Sequence, residues 1–551
     1  MLASKQRKIL FLLVNSLILF GCNKPLDDKP SDSEEKIYEK DDEGFYILEE
    51  DYFEENNEDI ILEYPDFIDN YDNYSPNYRL YHGDKLIPVY SCNVNPMHIW
   101  TPNPTTFVKA GVSTISLDGE ATFKLQTNFH FLESLKISPL DANVDFEIDI
   151  PRRVVTFKIA QPGQYTITLI NSMVFHLFVN PPHMYNEQVP TTNNTIVFEK
   201  GIYNRNNSPL IDNNNFIHLE SNTTVIIKKD AIVEAGFIAV NKTNIHVIGD
   251  GIVSGAPFAR NATTNEKLIP YEFNFCTNIS FKGITTLDPA GWCYNIYFCK
   301  NVLLDNIKII SSRSNGDGVS LQSSQDVICK NSFVRTWDDS LVVKNYPNWQ
   351  NKAEQGITKN ITFTKCQVWT DLAQSMELGY ETVGEVFEDI LFEDITILAN
   401  FHKAAISIHN GNNAYIKRVK FSNITIENPK MGLGDGNDYL IDFQNLYSQT
   451  WSSQHAVTPL GFIEGIEVNN VLLLSKNKKF KIFMQGCKDK RSGYDNEVEH
   501  FLKDITLNNI MMGEEVLTTD YEGLIIGDYV YDLSIIHDNS ETTGANSLIT
   551  F

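Results

Sequence analysis

The sequence predicts an all-β protein in which a β-sandwich at residues 76–183 precedes a right-handed parallel β-helix at residues 184–551. Three observations support this fold class. A short strand pattern recurs in the second part of the chain, and two of its copies, at Ile279 and Val302, are only 23 residues apart. The region before the repeat carries short alternating strands between turn residues. Propeller blades need about 40 residues each, so this spacing favours stacked coils.

The composition excludes several classes of protein. The 551 residues are 42% hydrophobic, which is enough for extended cores and excludes a largely disordered chain. The formal net charge of −26 disfavours a nucleic-acid-binding protein, because such proteins present basic surfaces to phosphates. We therefore expect no nucleic acid among the partners.

The N-terminal residues have the layout of a secretory signal. Basic residues at positions 5, 7 and 8 precede an apolar run from Ile9 to Phe20, which is too short to span a bilayer in a mature protein. The run ends at Gly21-Cys22, and this ending resembles the lipobox of bacterial lipoproteins. The resemblance implies a signal peptide at residues 1–21, a lipid anchor at Cys22 and an outer-membrane location, at the cell surface or facing the periplasm. An ordinary cleaved signal is the alternative.

Two segments are expected before the helix. Residues 22–75 begin with a polar, acidic stretch, and we expect them to form a flexible tether. Residues 76–183 are expected to form the sandwich, to pack on the helix and to cover its apolar end. The expected sandwich strands are Lys85–Val89, Thr114–Leu117, Ala121–Leu125, Val154–Ile159, Tyr165–Ile170 and Val174–Val179.

The repeat alternates apolar and polar residues, so each copy is a strand with one buried face. Copies begin at Ile279, Val302, Val327, Ile361, Ile390, Val419, Ile466 and Ile505. Equivalent residues on adjacent coils stack about 4.8 Å apart. This stacking predicts an amide-rich ladder at one turn, formed by Asn278, Asn301, Asp326 and Asn360. The seven cysteines after Cys22 form no CxxC motif, and we expect neither a metal nor a cofactor.

Three acidic residues precede two neighbouring strands. Asp317 stands two residues before the inward-facing Val319, and Asp339 stands two residues before Leu341, with Asp338 beside it. We therefore expect the three carboxylates to lie together on the outer face of adjacent coils. Crowded carboxyl groups shift at least one pKa, so that one stays protonated while another is ionised, as glycoside hydrolysis requires. The alternative is that Asp-Gly and Asp-Asp are ordinary turn residues.

These motifs resemble two families of pectin-lyase-like β-helix enzymes. The segment Asn315–Asp317, the pair Asp338–Asp339 and Lys344 are similar to motifs of the polygalacturonases, glycoside hydrolase family 28. The two-domain layout and the segment Ala373–Glu381 look more like the dextranase and isopullulanase family, glycoside hydrolase family 49.

The resemblance implies an inverting hydrolase. Asp338 would be the general acid that protonates the leaving oxygen. Asp317 and Asp339 would activate a water molecule on the opposite face of the sugar.

Two departures from the polygalacturonase pattern bear on the substrate. The family's Gly-His-Gly motif would fall near Gln374, where this sequence has no histidine. Its Arg-Ile-Lys motif, which grips the galacturonate carboxylate, would fall on Ser407–His409. Serine and histidine do not replace a bidentate arginine. The resemblance therefore favours a neutral glycan, such as a dextran-like α-glucan, over a galacturonan.

Strand phase adds residues to the expected cleft. Met376 and Leu378 point inward, so Glu377 points outward; by the same reasoning His409 points outward, in one column with Lys344. Aromatic residues near the ends of the coils are expected to stack on sugar rings. The expected substrate-binding residues are Lys344, Glu377, His409, Trp337, Gln374, Tyr380 and Trp292. Alternatively, Glu377 is a solvated acid, His409 is an ordinary surface histidine, and Trp337 and Trp292 are core residues.

The sequence thus predicts a surface lipoprotein that hydrolyses the O-glycosyl bonds of a polysaccharide or oligosaccharide, without a cofactor. Its expected partners are the glycan, the membrane through Cys22, and other glycan-utilisation proteins of the cell surface. Two other functions stay open. A β-helix lyase would use the aspartates as calcium ligands and Lys344 as base, and a non-catalytic β-helix would only bind glycan.

Overall fold

The computed structural model describes residues 38–53, 60–131, 134–170, 173–182, 190, 192–346, 356–446, 460–475, 479–488, 498–537 and 549–550. The expected signal peptide, Cys22 and the start of the tether lie outside these residues. Within them, strands make up all the regular structure except two short 3-10 helices at Glu50–Tyr52 and Leu140–Ala142. The all-β prediction is confirmed. Neither of these helices is long or apolar enough to cross a membrane.

Two sheets form the N-terminal sandwich. In spatial order, the strands of the first are Ile61–Glu63, Val108–Asp118, Met173–Asn180, Gly163–Ile170 and Lys136–Ser138, with Tyr90–Val94 also paired to Val108–Asp118. The strands of the second are Lys85–Ile87, Tyr78–His82, Ala121–Thr127, Val154–Ile159 and Phe146–Asp149. Apolar residues from both sheets, such as Phe123 and Phe175, are buried in a common core.

The structure differs from the expected tether at residues 38–53 and 60–75, the part of the tether that it describes. Ile61–Glu63 pairs antiparallel with the strand Val108–Asp118. Phe45 is fully buried beneath the guanidinium of Arg79, which forms an ion pair with Asp41 at 2.6 Å. Apolar and aromatic residues scattered in this acidic stretch can be buried against the sandwich. The excess of acidic residues in the sequence gave no sign of this burial.

The second domain is a parallel β-helix, as predicted. One face is an eleven-stranded sheet, with the strands Phe216–His218, Gly236–Val240, Tyr271–Asn274, Tyr294–Tyr297, Val319–Gln322, Leu341–Asn345, Met376–Thr382, Ile406–Asn410, Tyr439–Asn445, Lys481–Gln485 and Leu524–Ile526. All the pairs in this sheet are parallel.

The other faces belong to one bent, 21-stranded sheet. Its strands are Asn194–Phe198, Gly201–Tyr203, Thr223–Ile227, Ala231–Val233, Thr243–Gly249, Ile252–Ser254, Thr277–Lys282, Thr285–Leu287, Lys300–Asp305, Lys308–Ile310, Gln325–Lys330, Phe333–Thr336, Gly356–Thr364, Gln367–Thr370, Gly384–Asn400, Tyr415–Ile426, Phe462–Leu473, Leu502–Met512, Glu515–Val516, Val530–Ile536 and Ile549–Thr550. A small hairpin pairs Cys487–Lys488 with Glu499–His500.

Part of the amide ladder expected at one turn is present. Asn278 donates to the Oδ1 of Asn244 at 3.0 Å, and Asn301 donates to the Oδ1 of Asn278 at 3.2 Å. Further along, Asn360 donates to the Oδ1 of Asp326 at 2.8 Å. All five residues have positive φ, between 55° and 59°. Asn and Asp tolerate this left-handed conformation better than most residues, and their short side chains can bond to the next coil.

The first sheet of the sandwich is buried on both faces. Along the strand Met173–Asn180, Phe175 and Leu177 enter the sandwich core, while Val174 and Phe178 enter a second core shared with the helix. The helix residues in this second core are Ile232, Ile252, Leu287, Ile310, Phe333, Trp369, Leu398, Ala399 and Phe401. The sandwich therefore packs along the side of the helix over many coils, and its contact is not confined to the end that we expected it to cover.

Candidate active site

The eleven-stranded sheet stacks two of the three aspartates. Val319 and Leu341 are register partners on adjacent coils. Asp317 and Asp339 each stand two residues before these partners, and the main-chain N–H of Gly318 donates to the carbonyl of Asp339 at 2.8 Å. Equivalent residues on the coils before and after these two form a row with the aspartates along the helix axis, and the strand register fixes which residues they are.

Trp292 and Gln374 occupy those flanking positions. The N–H of Cys293, next to Trp292, donates to the carbonyl of Asp317 at 2.9 Å. The N–H of Gln374 donates to the Oδ1 of Asp339 at 3.2 Å. The row along the helix axis is therefore Trp292, Asp317, Asp339 and Gln374, one residue from each of four successive coils.

Glycines allow the tight corner that presents Asp317. A Cβ atom at Gly318 would overlap the Cγ1 of Val334 and the carbonyl oxygen of Ser340. A Cβ atom at Gly316 would overlap the Oγ of Ser311. The Gly-Asp-Gly sequence is thus a packing requirement of this turn.

A chain of buried hydroxyl groups supports the second corner. The hydroxyl of Thr336 lies 2.6 Å from both the carbonyl oxygen of Asp338 and the Oγ of Ser340. Ser340 contacts Thr370 at 2.8 Å, and Thr370 contacts Ser375 at 2.8 Å. Because each hydroxyl is both donor and acceptor, the chain crosses the coils without leaving polar atoms unsatisfied. It holds the main chain that carries Asp338.

The three carboxyl groups have different electrostatic surroundings. Lys344 donates to the Oδ2 of Asp317 at 2.6 Å, and both side chains are buried. Burial, and then the charge of Asp317, raise the pKa of Asp338 from 3.8 to about 7. Burial, followed by the charges of Asp338 and Asp317, also raises the pKa of Asp339 well above 3.8. Burial by itself lowers the pKa of Lys344, but the charge of Asp317 and then that of Glu381 outweigh this effect and raise it.

The three aspartates line one open cleft. Four of the expected substrate-binding residues also line it: Trp292, Lys344, Gln374 and Tyr380. Within the described ranges, no group of three or more His, Cys, Asp or Glu residues is arranged to hold a metal ion.

Three other expected residues do not line the cleft. Trp337 is completely buried, and its ring packs against that of Trp100 with centroids 5.0 Å apart. Glu377 and His409 point away from the helix core, as the strand phase predicts, but both are buried. The ring of Tyr380 covers His409, stacked on it at 4.2 Å. Strand phase predicts the direction of a side chain, but it does not predict what lies above it.

A bulge in the strand Met376–Thr382 explains this cover. The residues Val343 and Asn345 pair with Leu378 and Thr382, so Gly379, Tyr380 and Glu381 together stand opposite one residue, Lys344. Gly379 has φ of +134°, and a Cβ there would overlap the carbonyl oxygen of His409. The extra residues bring Tyr380 and Glu381 into the cleft.

Beneath Tyr380, His409 lies between two buried carboxyl groups. Its Nδ1 is 2.8 Å from the Oε1 of Glu377, and its Nε2 is 3.1 Å from the Oδ2 of Asp442. The hydroxyl of Ser407 also donates to Glu377. Burial opposes the charged form of the imidazole, but Glu377, followed by Tyr380 and Asp442, raises the pKa of His409 well above 6.5.

Sequence reasoning missed six polar or aromatic residues that line the cleft: Trp100, Asn315, Glu381, His402, Lys403 and Asp435. Asn315 and Glu381 belong to motifs already singled out in the sequence. Their membership of these motifs could have identified them as cleft residues. His402 and Lys403 precede a strand of the same sheet. Trp100 and Asp435 come from irregular segments, and no periodic pattern in the sequence marks them.

The chain is similar to a known family and to several known proteins. The family model for glycosyl hydrolases family 28 matches residues 189–510, more than half of the chain. A probable polygalacturonase of Arabidopsis thaliana is 21% identical over 183 residues, which are 33% of this chain and 38% of that protein. A polygalacturonase of Gossypium barbadense is 24% identical over 197 residues, which are 34% of this chain and 46% of that protein. These alignments therefore span less than half of the relatives' length.

Two solved structures are similar to this chain to different degrees. Dex49A from Penicillium minioluteum aligns with 84% of this chain and 96% of its own, with a TM-score of 0.56 at 13% identity. A hyperthermoactive exopolygalacturonase from Thermotoga maritima covers 65% of this chain and 86% of its own, with a TM-score of 0.44 at 14% identity. The likeness to Dex49A shows a common fold. The motif resemblance is thus confirmed, and the chain belongs to glycosyl hydrolases family 28, a family of enzymes that hydrolyse O-glycosyl bonds.

Proposed function

We propose that this protein is an inverting glycoside hydrolase that cleaves a neutral polysaccharide or oligosaccharide, with Asp338 as general acid and Asp317 as the main general base. The observation that carries the proposal is the contrast between these two carboxyl groups. Asp317 is in ion-pair contact with Lys344 at 2.6 Å, whereas the pKa of Asp338 is raised to about 7. A carboxyl group of raised pKa beside one that is paired with a buried cation is the arrangement expected of a general acid and a general base.

The proposed reaction follows from this arrangement. Asp338 transfers its proton to the glycosidic oxygen while the bond from this oxygen to the anomeric carbon breaks. A water molecule attacks the anomeric carbon from the opposite face and gives a proton to Asp317. Exchange with solvent then restores both carboxyl groups, so that one glycosidic bond and one water molecule become two hydroxyl-bearing products. Asp339 shares the task of orienting the water, and the configuration at the anomeric carbon is inverted.

The charges of the cleft support a neutral glycan. Five acidic residues line it: Asp317, Asp338, Asp339, Glu381 and Asp435. The cleft has two lysines, and one of them, Lys344, is paired with Asp317. A uronate polymer would bring further negative charge into an already acidic site, at a cost in electrostatic free energy.

The segment Ser407–His409 supports the same conclusion. In the polygalacturonase pattern this segment is expected to grip the substrate carboxylate. Here Ser407 donates to Glu377, and His409 lies between Glu377 and Asp442. Because protein carboxylates already engage these two side chains, they present no free positive charge to a sugar. We therefore favour a dextran-like α-glucan as the class of substrate.

A galacturonan is the second candidate. The curated relatives are named polygalacturonases, and Lys403 lines the cleft. Under this alternative, Lys403 would contact the substrate carboxylate, and the protein would degrade polygalacturonate in preference to dextran.

A substrate panel tests the proposal. The purified protein is incubated with dextran, pullulan and polygalacturonate, and new reducing ends are measured together with the anomer that proton NMR detects first. We expect hydrolysis of a neutral glycan with inversion, and loss of at least about 10²-fold in kcat for Asp338→Asn and Asp317→Asn. Asp326→Asn, on the exposed ladder of the helix, is the matched control. Preferential cleavage of polygalacturonate supports the second candidate.

The same assay distinguishes the other two functions. A lyase would produce an unsaturated sugar that absorbs in the ultraviolet, and its activity would fall on addition of EDTA. A non-catalytic glycan-binding protein would release no reducing ends from any member of the panel, and Asp338→Asn would leave its binding unchanged. Retention of the starting anomer in the first product would reject inversion.

We also propose that the protein is a lipoprotein anchored through Cys22 in the outer membrane, where it would meet glycan together with other surface proteins. The support is the sequence before Cys22, with its basic start, its short apolar run and Gly21. Metabolic labelling with a fatty acid tests this directly. The wild type should carry the label and sediment with membranes, and Cys22→Ser should carry none. An unlabelled wild type would indicate an ordinary cleaved signal.

A further inference from the structure

The sandwich sends one irregular segment, residues 95–107, onto the helix beside the cleft. It connects the strands Tyr90–Val94 and Val108–Asp118. The Nδ1 of His98 lies 2.8 Å from the carbonyl oxygen of Asp371, and its ring stacks on Phe401 with centroids 4.6 Å apart. Asn103 accepts a hydrogen bond from the N–H of Ala262 at 2.9 Å. The segment is therefore fixed to the helix at several separate places.

Trp100 is the residue of this segment that lines the cleft. Its N–H donates to the Oδ1 of Asp435 at 3.1 Å, so the main chain is held at this point. The ring lies against that of the buried Trp337, with centroids 5.0 Å apart and an interplanar angle of 34°. The side chain is still 38% exposed. An aromatic ring that packs against a buried neighbour and lines a cleft is a suitable surface for the C–H groups of a sugar ring.

Asp435, which holds Trp100, and Trp292 lie on opposite sides of the aspartates along the helix axis. Trp292 is one coil before Asp317. Asp435 lies beyond the coil of His402, which itself follows the coils of Asp339 and Gln374. A glycan that crosses the aspartates along the sheet would therefore pass Trp292, one coil before them, and the ring of Trp100, which packs on Trp337 next to Asp338.

We propose that Trp100 is a sugar-binding residue, so that the N-terminal sandwich contributes a subsite to the cleft of the helix. This inference rests on the proposed function, because it assumes that a glycan crosses the aspartates. It assigns to the sandwich a part in substrate binding in addition to its packing on the helix. Only glycans long enough to extend from the aspartates to Trp100 would benefit.

Binding to an inactive variant tests the proposal. Asp338→Asn is applied to an array that carries isomalto-, malto- and galacturono-oligosaccharides of increasing length, and the oligosaccharides that bind are titrated by calorimetry. The same measurements are made for Asp338→Asn combined with Trp100→Ala or with Trp100→Phe. We expect Trp100→Ala to weaken binding of the longer oligosaccharides about 10-fold, and Trp100→Phe to recover part of the loss. Phe146→Ala, at an exposed aromatic of the sandwich remote in sequence, is the control.

Kinetics separate a binding role from a structural one. Otherwise wild-type protein with Trp100→Ala should show a higher KM on long substrates, little change in kcat, and an unchanged melting temperature. If Asp338→Asn binds glycan and the added Trp100→Ala substitution leaves the affinity unchanged, the inference is overturned and the proposed function stays intact. If neither Asp338→Asn nor the wild type binds any glycan of the array, the proposed function fails, and this inference fails with it.

Discussion

The ammonium group of Lys344 lies 2.6 Å from the Oδ2 of Asp317, although 27 positions separate the two residues in the sequence. The coils bring them together, and burial shields the contact from solvent. Lys344 also lies 4.1 Å from the ring centroid of Trp292. One buried cation thus contacts a proposed general base and an aromatic wall of the cleft. Replacing Lys344 with an uncharged residue is therefore an informative test.

Lys344→Met should reduce kcat by about 10²-fold, because Asp317 loses the buried cation that pairs with it at 2.6 Å. The charge of Lys344 also lowers the pKa of Asp338. Its removal should therefore move the alkaline limb of the pH profile to higher pH. Profiles of kcat/KM measure both effects, with Lys359→Met, at an exposed ion pair of the helix, as the control. A profile of unchanged shape would contradict the role of Lys344.

The wild-type pH profile should fall on the alkaline side near pH 7. Asp338 can donate a proton only while it is protonated, and its pKa is raised to about 7. Activity should therefore be lost as the pH rises through this value. The measurement is kcat/KM across the pH range in buffers of constant ionic strength. Constant activity well into the alkaline range would exclude Asp338 as the general acid.

Asp338→Asn should stabilise the protein at alkaline pH. The pKa of Asp338 is raised on folding, so its favourable contribution is complete below about pH 4 and is lost as the pH rises through about 7. An amide avoids the cost of burying the charge, which is of order 1 to 4 kcal/mol. Melting temperatures at pH about 8 and pH about 4 test this. The variant should melt higher than the wild type only at the alkaline pH, and Asp326→Asn should show no such difference.

His409→Phe should be strongly destabilising. The imidazole lies between Glu377 and Asp442, and its loss leaves two buried carboxyl groups without their common partner. Breaking a buried ion pair in this way typically costs about 3 to 5 kcal/mol. Urea denaturation at neutral pH measures the loss.

The control for this variant is His218→Phe. His218 pairs with Asp212 at 2.9 Å on the surface, with its side chain 64% exposed. Exposed pairs contribute about 1 kcal/mol or less. Similar losses for the two variants would mean that the buried position of His409 brings no special stabilisation.

The repeat predicted the fold because it is periodic at two levels. Alternation within each copy identifies the inward side chains, and the spacing between copies identifies neighbours on adjacent coils. Together these two periods place Asp317 above Asp339, and they place Asn278 beside Asn301 in the ladder. Both pairs lie in the structure as the periods predict.

The rest of the site depends on features that have no period. A three-residue bulge opposite Lys344 covers Glu377 and His409, and local alternation gives no sign of it. Trp337 was expected in the cleft, but a segment of the sandwich lies over it and places Trp100 there instead. Contacts between distant irregular segments arise from tertiary packing, which a reading of one strand at a time does not include.

The double burial of the strand Met173–Asn180 has an evolutionary consequence. Val174 and Phe178 on one side, with Phe333 and Trp369 of the coils opposite, would face water if either half of the molecule were inherited without the other. Among the described residues, none after Phe401 belongs to this shared core, so an ancestor could lengthen or shorten the solenoid beyond that point without disturbing it. Recombination that exchanged the amino-terminal domain would be tolerated only if the new domain presented a complementary apolar surface to the coils.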